Sequence, residues 1–406
     1  MNHSVYSLLF LLTFSIKYQQ IAKASNLNIV KHFGAKPDGK TDSTKAFLAA
    51  WDSACASIKK ATIYIPPGLY FIQRVQFYGQ KCRKRFNHTN NNDQYVGIVI
   101  RIDGVLLAPT DYNNNNVTTS NWLQFQRVHR LSIVGSGTLD GKGSALWDCK
   151  AAHNSPISCP VGLTTMGFQE CKDITINGLT SINSQFFHIV LNKCHNVKMK
   201  GLKIIAPANS PNTDGIHVQL SSKVSILHTK IATGDDCISI GPGSSDILIH
   251  NIVCGPGHGI SIGSLGWEVK EPGVENVTVK TVILSGTQNG LRIKTWGRPS
   301  NGFVKNVIFQ DVFMSNVQNP IIINQNYCPH NINCPGQNSG IKINNVLYKN
   351  IYGSSATKVG VRFECSKSEP CSKLKTENVN LTYDDEPAGD SCVNALGSGP
   401  TTSCLV

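Results

Sequence analysis

The chain predicts an all-β fold: a right-handed parallel β-helix, a solenoid with a helix capping its N-terminal end. Three observations carry that prediction. From about residue 125 a loose unit repeats, a short apolar strand, then Asn or Gly, then another short strand. Its anchors Ile174, Val197, Val224, Ile247, Val277 and Val307 step by roughly 23 to 30 residues, a period typical of solenoids. β-Branched residues dominate, Gly and Asn punctuate, and no long helical periodicity appears. One unit cannot bury its apolar face alone, so stacked coils must share a core. A β-sandwich or a propeller is the alternative, and propeller blades repeat nearer to about forty residues.

Taken in order, the chain opens on an apolar run from Val5 to Ile16, too short to span a bilayer. Ala22-Lys23-Ala24 follows as a small-x-small cleavage site. Residues 1–24 therefore read as a signal peptide, with Ser25 opening the mature chain. A buried first strand is the other reading, because no Lys or Arg precedes the apolar run. No later stretch is long enough for a transmembrane helix. Length alone, 406 residues, would admit two or three domains. A repeat fold runs longer as one body, so 25–406 is expected to be a single domain.

Asp42 precedes Ser43 to Ala56, where Ala46, Phe47, Ala50, Trp51 and Ala54 share a helical face. This is the expected cap, with Asp42 as its N-cap. Lys81, Arg83, Lys84 and Arg85 form a basic loop around Cys82, and Asn90 to Asn92 and Asn113 to Asn116 mark exposed loops.

All 14 cysteines lie beyond the cleavage site, which fits an oxidising compartment. Close spacing suggests Cys149 with Cys159, Cys237 with Cys254, Cys328 with Cys334, Cys365 with Cys371, and Cys392 with Cys404. No cysteine or histidine spacing suits zinc. Asn87, Asn116, Asn276 and Asn380 open glycosylation sequons. Net charge is +13, and losing Lys17 and Lys23 with the signal leaves about +11. A basic secreted chain favours a polyanionic partner. Nucleic acid is not expected outside the cell, and no aromatic-basic recognition motif stands out.

Four motifs follow at coil-like spacing: Asn212-Thr213-Asp214, Gly234-Asp235-Asp236, Gly257-His258-Gly259 and Arg292-Ile293-Lys294. Residues one coil apart stack at about 4.8 Å, so these motifs can meet in one groove. Alternation puts Asn212 with Asp214, and Arg292 with Lys294, on one face, with Ile293 turned inward. Gly257 and Gly259 would leave room for a ligand beside His258. Close carboxylates repel, so at least one should keep a proton beside ionised neighbours. That division of labour is what glycoside hydrolysis requires. A calcium site is the competing reading. Simple turn capping is another, and it leaves His258, Arg292 and Lys294 unexplained.

In order and spacing these motifs resemble those of plant polygalacturonases, the pectin-cleaving glycoside hydrolases of family 28. The likeness runs over essentially the whole mature chain. It includes Val30-Lys31-His32-Phe33-Gly34-Ala35-Lys36-Pro37-Asp38-Gly39 and Gly257-His258-Gly259-Ile260-Ser261-Ile262-Gly263-Ser264. It implies a right-handed parallel β-helix that hydrolyses α-1,4 bonds between galacturonates with inversion. It implies no metal and no organic cofactor. The expected partner is pectin in the cell wall, with no nucleic acid and no membrane, and the expected state is a monomer. Residue by residue, Asp235 matches the proton donor, and Asp214 and Asp236 match the carboxylates that activate water. Inversion would separate acid and base by about 6.5–9.5 Å. His258 matches a histidine that supports the acid and contacts substrate. Arg292 and Lys294 match a clamp on galacturonate carboxylates. Asn212 and Tyr327 match positions lining the subsites.

One position departs from the pattern: many relatives carry Asp where Asn324 stands, which reads as tuning. A rhamnogalacturonan hydrolase or calcium-dependent pectate lyase, and a non-catalytic pectin-binding protein, are the alternatives. The intact polar set argues against the last. Endo or exo attack stays open, although the N-terminal helix region and basic loop resemble the exo-acting plant subgroup.

Overall fold

The computed structural model describes residues 26–82, 84–87, 92–111, 120–151, 159–332 and 334–399. The expected signal segment, Arg83 of the basic loop and the asparagine run 113–116 lie outside them.

The strands wind into a right-handed parallel β-helix built of two long sheets, one of 20 strands and one of 11. The predicted anchors are direct cross-strand neighbours. Ile174 pairs with Val197, Val197 with Val224, Val224 with Ile247, Ile247 with Val277, and Val277 with Val307. All six are at most 2% exposed. Each such side chain contributes about 1.5–3 kcal/mol on burial, so this column is a main source of cohesion. Coiling also begins well before residue 125, for Leu131 pairs with Ile98 and Ala61 pairs with the same residue.

Asparagine punctuates the repeat because each coil turns a corner in the left-handed region. Asp173, Asn196, Asp246, Asn276, Asn306 and Asn345 all have φ between 55° and 58°, which Asn and Asp tolerate best among residues with a Cβ. Their side chains then bond up the stack. Asn276 donates to Asp246 at 3.0 Å, Asn306 to Asn276 at 3.1 Å and Asn345 to Asn306 at 2.9 Å. The sequon at Asn276 is therefore exposed but already engaged in this ladder. Asn380 is exposed on a strand, and the side chains of Asn87 and Asn116 lie outside the described residues.

The cap helix spans Thr44–Ala56. Its N-cap is Ser43, not Asp42, and Ser43 gives no side-chain cap bond. The Asp42 carboxylate still accepts the Thr44 N–H at 2.9 Å, from one position further out. The expected apolar face is buried, and Trp51 lies 5.1 Å from Phe77, which stacks on Phe125. That ring column continues to Phe168, so the helix plugs the end of the core. Cys55 at the end of the helix is bonded to Cys82, a link the spacing did not suggest. Four expected disulfides are present: Cys149–Cys159, Cys237–Cys254, Cys328–Cys334 and Cys365–Cys371. Cys392 is oxidised too, and its expected partner Cys404 lies outside the described residues. Cys171 and Cys194 are buried thiols.

The 11-stranded sheet positions the site. Leu123, Met166, Ile189, Ile216, Ile238, Ile260, Leu291 and Ile321 stack in register along it and fill the core. The next residue of each strand points outward. That row reads Gln124, Gly167, Val190, His217, Ser239, Ser261, Arg292 and Ile322.

Candidate active site

The motif residues meet because each stands at the same place relative to its strand. Asp214, Asp236 and His258 lie two residues before Ile216, Ile238 and Ile260, which are register partners. Thr164 and Phe187 hold that place on earlier coils, and Asn289 and Asn319 on later ones. The turns are locked to one another: Thr213 Oγ1 accepts the Gly234 N–H at 3.0 Å. Cys237, next to Asp236, is tied to Cys254.

Asp236 is the best-held carboxylate. Its side chain is 1% exposed, and both oxygens face cations at 2.7 Å, Arg292 on Oδ1 and Lys294 on Oδ2. Ser261 Oγ donates to Oδ1 at 2.8 Å and itself accepts Arg292 Nε–H at 2.9 Å. Burial alone would push Asp236 up, but Lys294 and Arg292 outweigh it and hold the carboxyl down at about 2. Lys294 reaches Asp236 across two coils, and its stem runs past Gly263. A Cβ on Gly263 would meet the Lys294 carbonyl at 2.1 Å and Cγ at 3.1 Å.

Asp214 is also buried, at 6% exposed, but has no cation in contact. Ser239 Oγ donates to its Oδ2 at 2.8 Å, and His217 Nδ1 lies 2.8 Å from the same hydroxyl. Since the hydroxyl proton goes to Asp214, His217 donates to Ser239. Burial, then the charges of Asp235 and Asp236, push Asp214 well above the ordinary carboxylate value. Of the three carboxyls, Asp214 is thus the one that its surroundings drive toward the protonated form.

Asp235 is more open, with 19% of its side chain exposed. Its Oδ1 faces His258 Nδ1 at 2.9 Å and accepts the Asp236 N–H at 2.8 Å. Asp235, Asp236 and His258 offer ligand atoms within 4.8 Å of one another, a set that could hold a cation. Both Asp236 oxygens already face positive charge, which works against a divalent ion there.

Arg292 and Lys294 share the outer face and Ile293 is fully buried, as alternation requires. Tyr327 lies under Lys294, whose Nζ is 5.2 Å from the ring, and lines a cleft with Asn289, Asn324 and Asn326. Asn212 does not share the face of Asp214. It sits exposed in a turn with φ 55°, where strand alternation does not apply, and its side chain makes no hydrogen bond to the cluster. Gly259 serves packing rather than ligand access, since a Cβ there would meet the Asn289 carbonyl at 2.0 Å. Sequence reasoning missed His217, Ser239 and Ser261. Coil spacing was the available signal, because the three stand in one register row that leads to Arg292.

A solenoid groove that gathers three carboxyls, an imidazole and two cations around one row defines a carbohydrate-cleaving hydrolase by its chemistry. The profile of glycosyl hydrolases family 28 matches residues 55–404, and that of rhamnogalacturonase A/epimerase, pectate lyase-like, matches residues 27–82. The chain belongs to glycosyl hydrolases family 28. It is 52% identical to a polygalacturonase of Prunus persica, covering 100% of this chain and 99% of that one. It is 41% identical to an exopolygalacturonase of Platanus acerifolia, covering 90% and 93%. Among solved structures it is similar to an endo-xylogalacturonan hydrolase from Aspergillus tubingensis, with TM-score 0.76, 21% identity and coverage of 92% and 98%. At that identity the likeness speaks for the fold. No helix among the described residues is long and apolar enough to cross a membrane.

Proposed function

We propose that this chain hydrolyses α-1,4 bonds between galacturonates of pectin, secreted to the cell wall, with 25–406 as one catalytic unit acting as a monomer. The observation that carries the reading is the buried Asp236 clamped at both oxygens by Arg292 and Lys294, beside a more open Asp235 hydrogen-bonded to His258. Asp235 donates its proton to the glycosidic oxygen as the bond from the anomeric carbon breaks. Asp236 takes a proton from water, and the water oxygen attacks that carbon. A carboxylate bonded to cations at both oxygens is a poor nucleophile, which favours direct displacement by water and inversion. Arg292 and Lys294 each keep donors beyond those given to Asp236 and Ser261. Those are free for a substrate carboxylate.

A second reading makes Asp214 the acid, favoured by its burial and raised proton affinity. Substrates with a leaving group that needs no proton separate the two. Asp235→Asn keeping activity on them, and losing it on pectin, supports the first reading. The same pattern for Asp214→Asn supports the second. On polygalacturonate the protein should release reducing ends with no rise in ultraviolet absorbance; a rise marks a lyase and overturns the proposal.

A further inference from the structure

The groove is not uniform in charge along its length. Toward the C-terminal coils, Arg292 and Lys294 line a cleft of about 210 Å³ with asparagines and Tyr327. Toward the N-terminal coils a second cleft, about 270 Å³, continues the same sheet face. Its outward row is Gln124, Gly167, Val190 and His217. Amides of Asn121, Gln169, Asn192 and Gln219 surround that row, and the partly exposed rings of Phe186 and Phe187, 4.2 Å apart, wall it.

None of the lining residues is Asp, Glu, Lys or Arg. Burial lowers His217 from its ordinary value, which works against a charge on its imidazole. Of the neighbouring charges, Arg127 pairs with Glu170 at 2.8 Å, and Lys150 Nζ donates to the Val161 carbonyl at 2.7 Å and stands 5.5 Å from the Phe186 ring, outside the lining itself.

Moving a carboxylate into such a cleft would strip its water and supply no counter-charge. An esterified or otherwise uncharged ring escapes that penalty. Its hydroxyls find amide partners, and its C–H face packs on Phe187. Asn192 Oδ1 is buried with no hydrogen-bond partner, and a half-turn of that amide would present an acceptor to a ring hydroxyl. We propose that the N-terminal cleft is a subsite for an uncharged pyranose ring, in pectin a methyl-esterified galacturonate, while the cationic end takes a free carboxylate. This rests on the hydrolase reading above.

The test uses the full chain and galacturonate oligomers of one length, either fully demethylated or carrying a single methyl ester at a known position. Products are read by mass spectrometry. An ester on one side of the cut bond should leave kcat/KM within about twofold of the free acid, and an ester on the other side should lower it about tenfold or more. Asn192→Lys, which removes no hydrogen bond seen in the structure, should raise kcat/KM on the demethylated oligomer by up to about fivefold, the worth of one partly exposed ion pair. It should not help the tolerated ester. Esters that slow cleavage equally on both sides, or an Asn192→Lys protein with an unchanged substrate ratio, overturn the proposal. If nothing is cleaved, the hydrolase reading falls. Calorimetric binding of the same oligomers then decides the cleft, and tighter binding of the demethylated oligomer than of every ester would sink it.

Discussion

Asp214 and Asp236 make a controlled comparison inside one molecule. They occupy the same place on adjacent coils, both are buried, and each accepts a bond from a serine on the following coil at 2.8 Å. Behind Ser239 stands a half-buried imidazole, His217; behind Ser261 stands a guanidinium, Arg292. Lys294 then adds a second cation to Asp236 alone. One carboxyl is driven up and the other down to about 2. The lesson is that the hydrogen-bond pattern orients these groups, while the charge behind it sets their protonation.

The largest effect that tests this comparison is on stability, and it has opposite signs. Asp236→Asn should cost about 3–5 kcal/mol, because it leaves two buried cations without their partner. Asp214→Asn should stabilise by about 0.5–2 kcal/mol, because it relieves a buried and repelled carboxylate at the expense of function. Urea unfolding at neutral pH reads both, and equal signs would break the comparison. Both variants should lose about 10²–10⁴ in kcat.

Next is Lys294→Met. Asp236 should lose part of its downward shift, so the acid limb of the pH–rate profile should move to higher pH. An unmoved limb would assign the effect to Arg292 alone.

The pH dependence of stability gives a smaller effect with a fixed direction. Asp236 is depressed, so its contribution is present above the ordinary value of 3.8 and is lost as pH falls toward about 2. Asp214 is raised, so its contribution is present below 3.8 and is lost as pH climbs past that value. In Asp214→Asn the second slope should vanish and the first remain. The serines give the remaining test. Ser261→Ala should lower stability by about 1.5–3 kcal/mol, because its bonds join charged groups, and Ser239→Ala by about 0.5–1.5 kcal/mol.

Much of this was legible in the chain. The apolar anchors from Ile174 to Val307 are true cross-strand partners, because a stacked coil forces each apolar residue onto the one before it. Four motifs in register did land in one groove. Asn212 misled because alternation holds only within a strand, and its left-handed φ breaks the count. Cys55 and Cys82 escaped because they stand 27 positions apart and are brought together by the cap helix and first coil, not by a local turn.

By itself the sequence determined the solenoid, the column of its core and the chemical inventory of the groove. These follow from periodicity and residue type, both local properties. Only the tertiary structure decided which carboxyl is driven toward its protonated form, which faces two cations, and which cleft is lined without a charged residue. Those depend on burial and on distances between residues brought together from different coils, and Coulomb energy and desolvation act through space rather than along the chain.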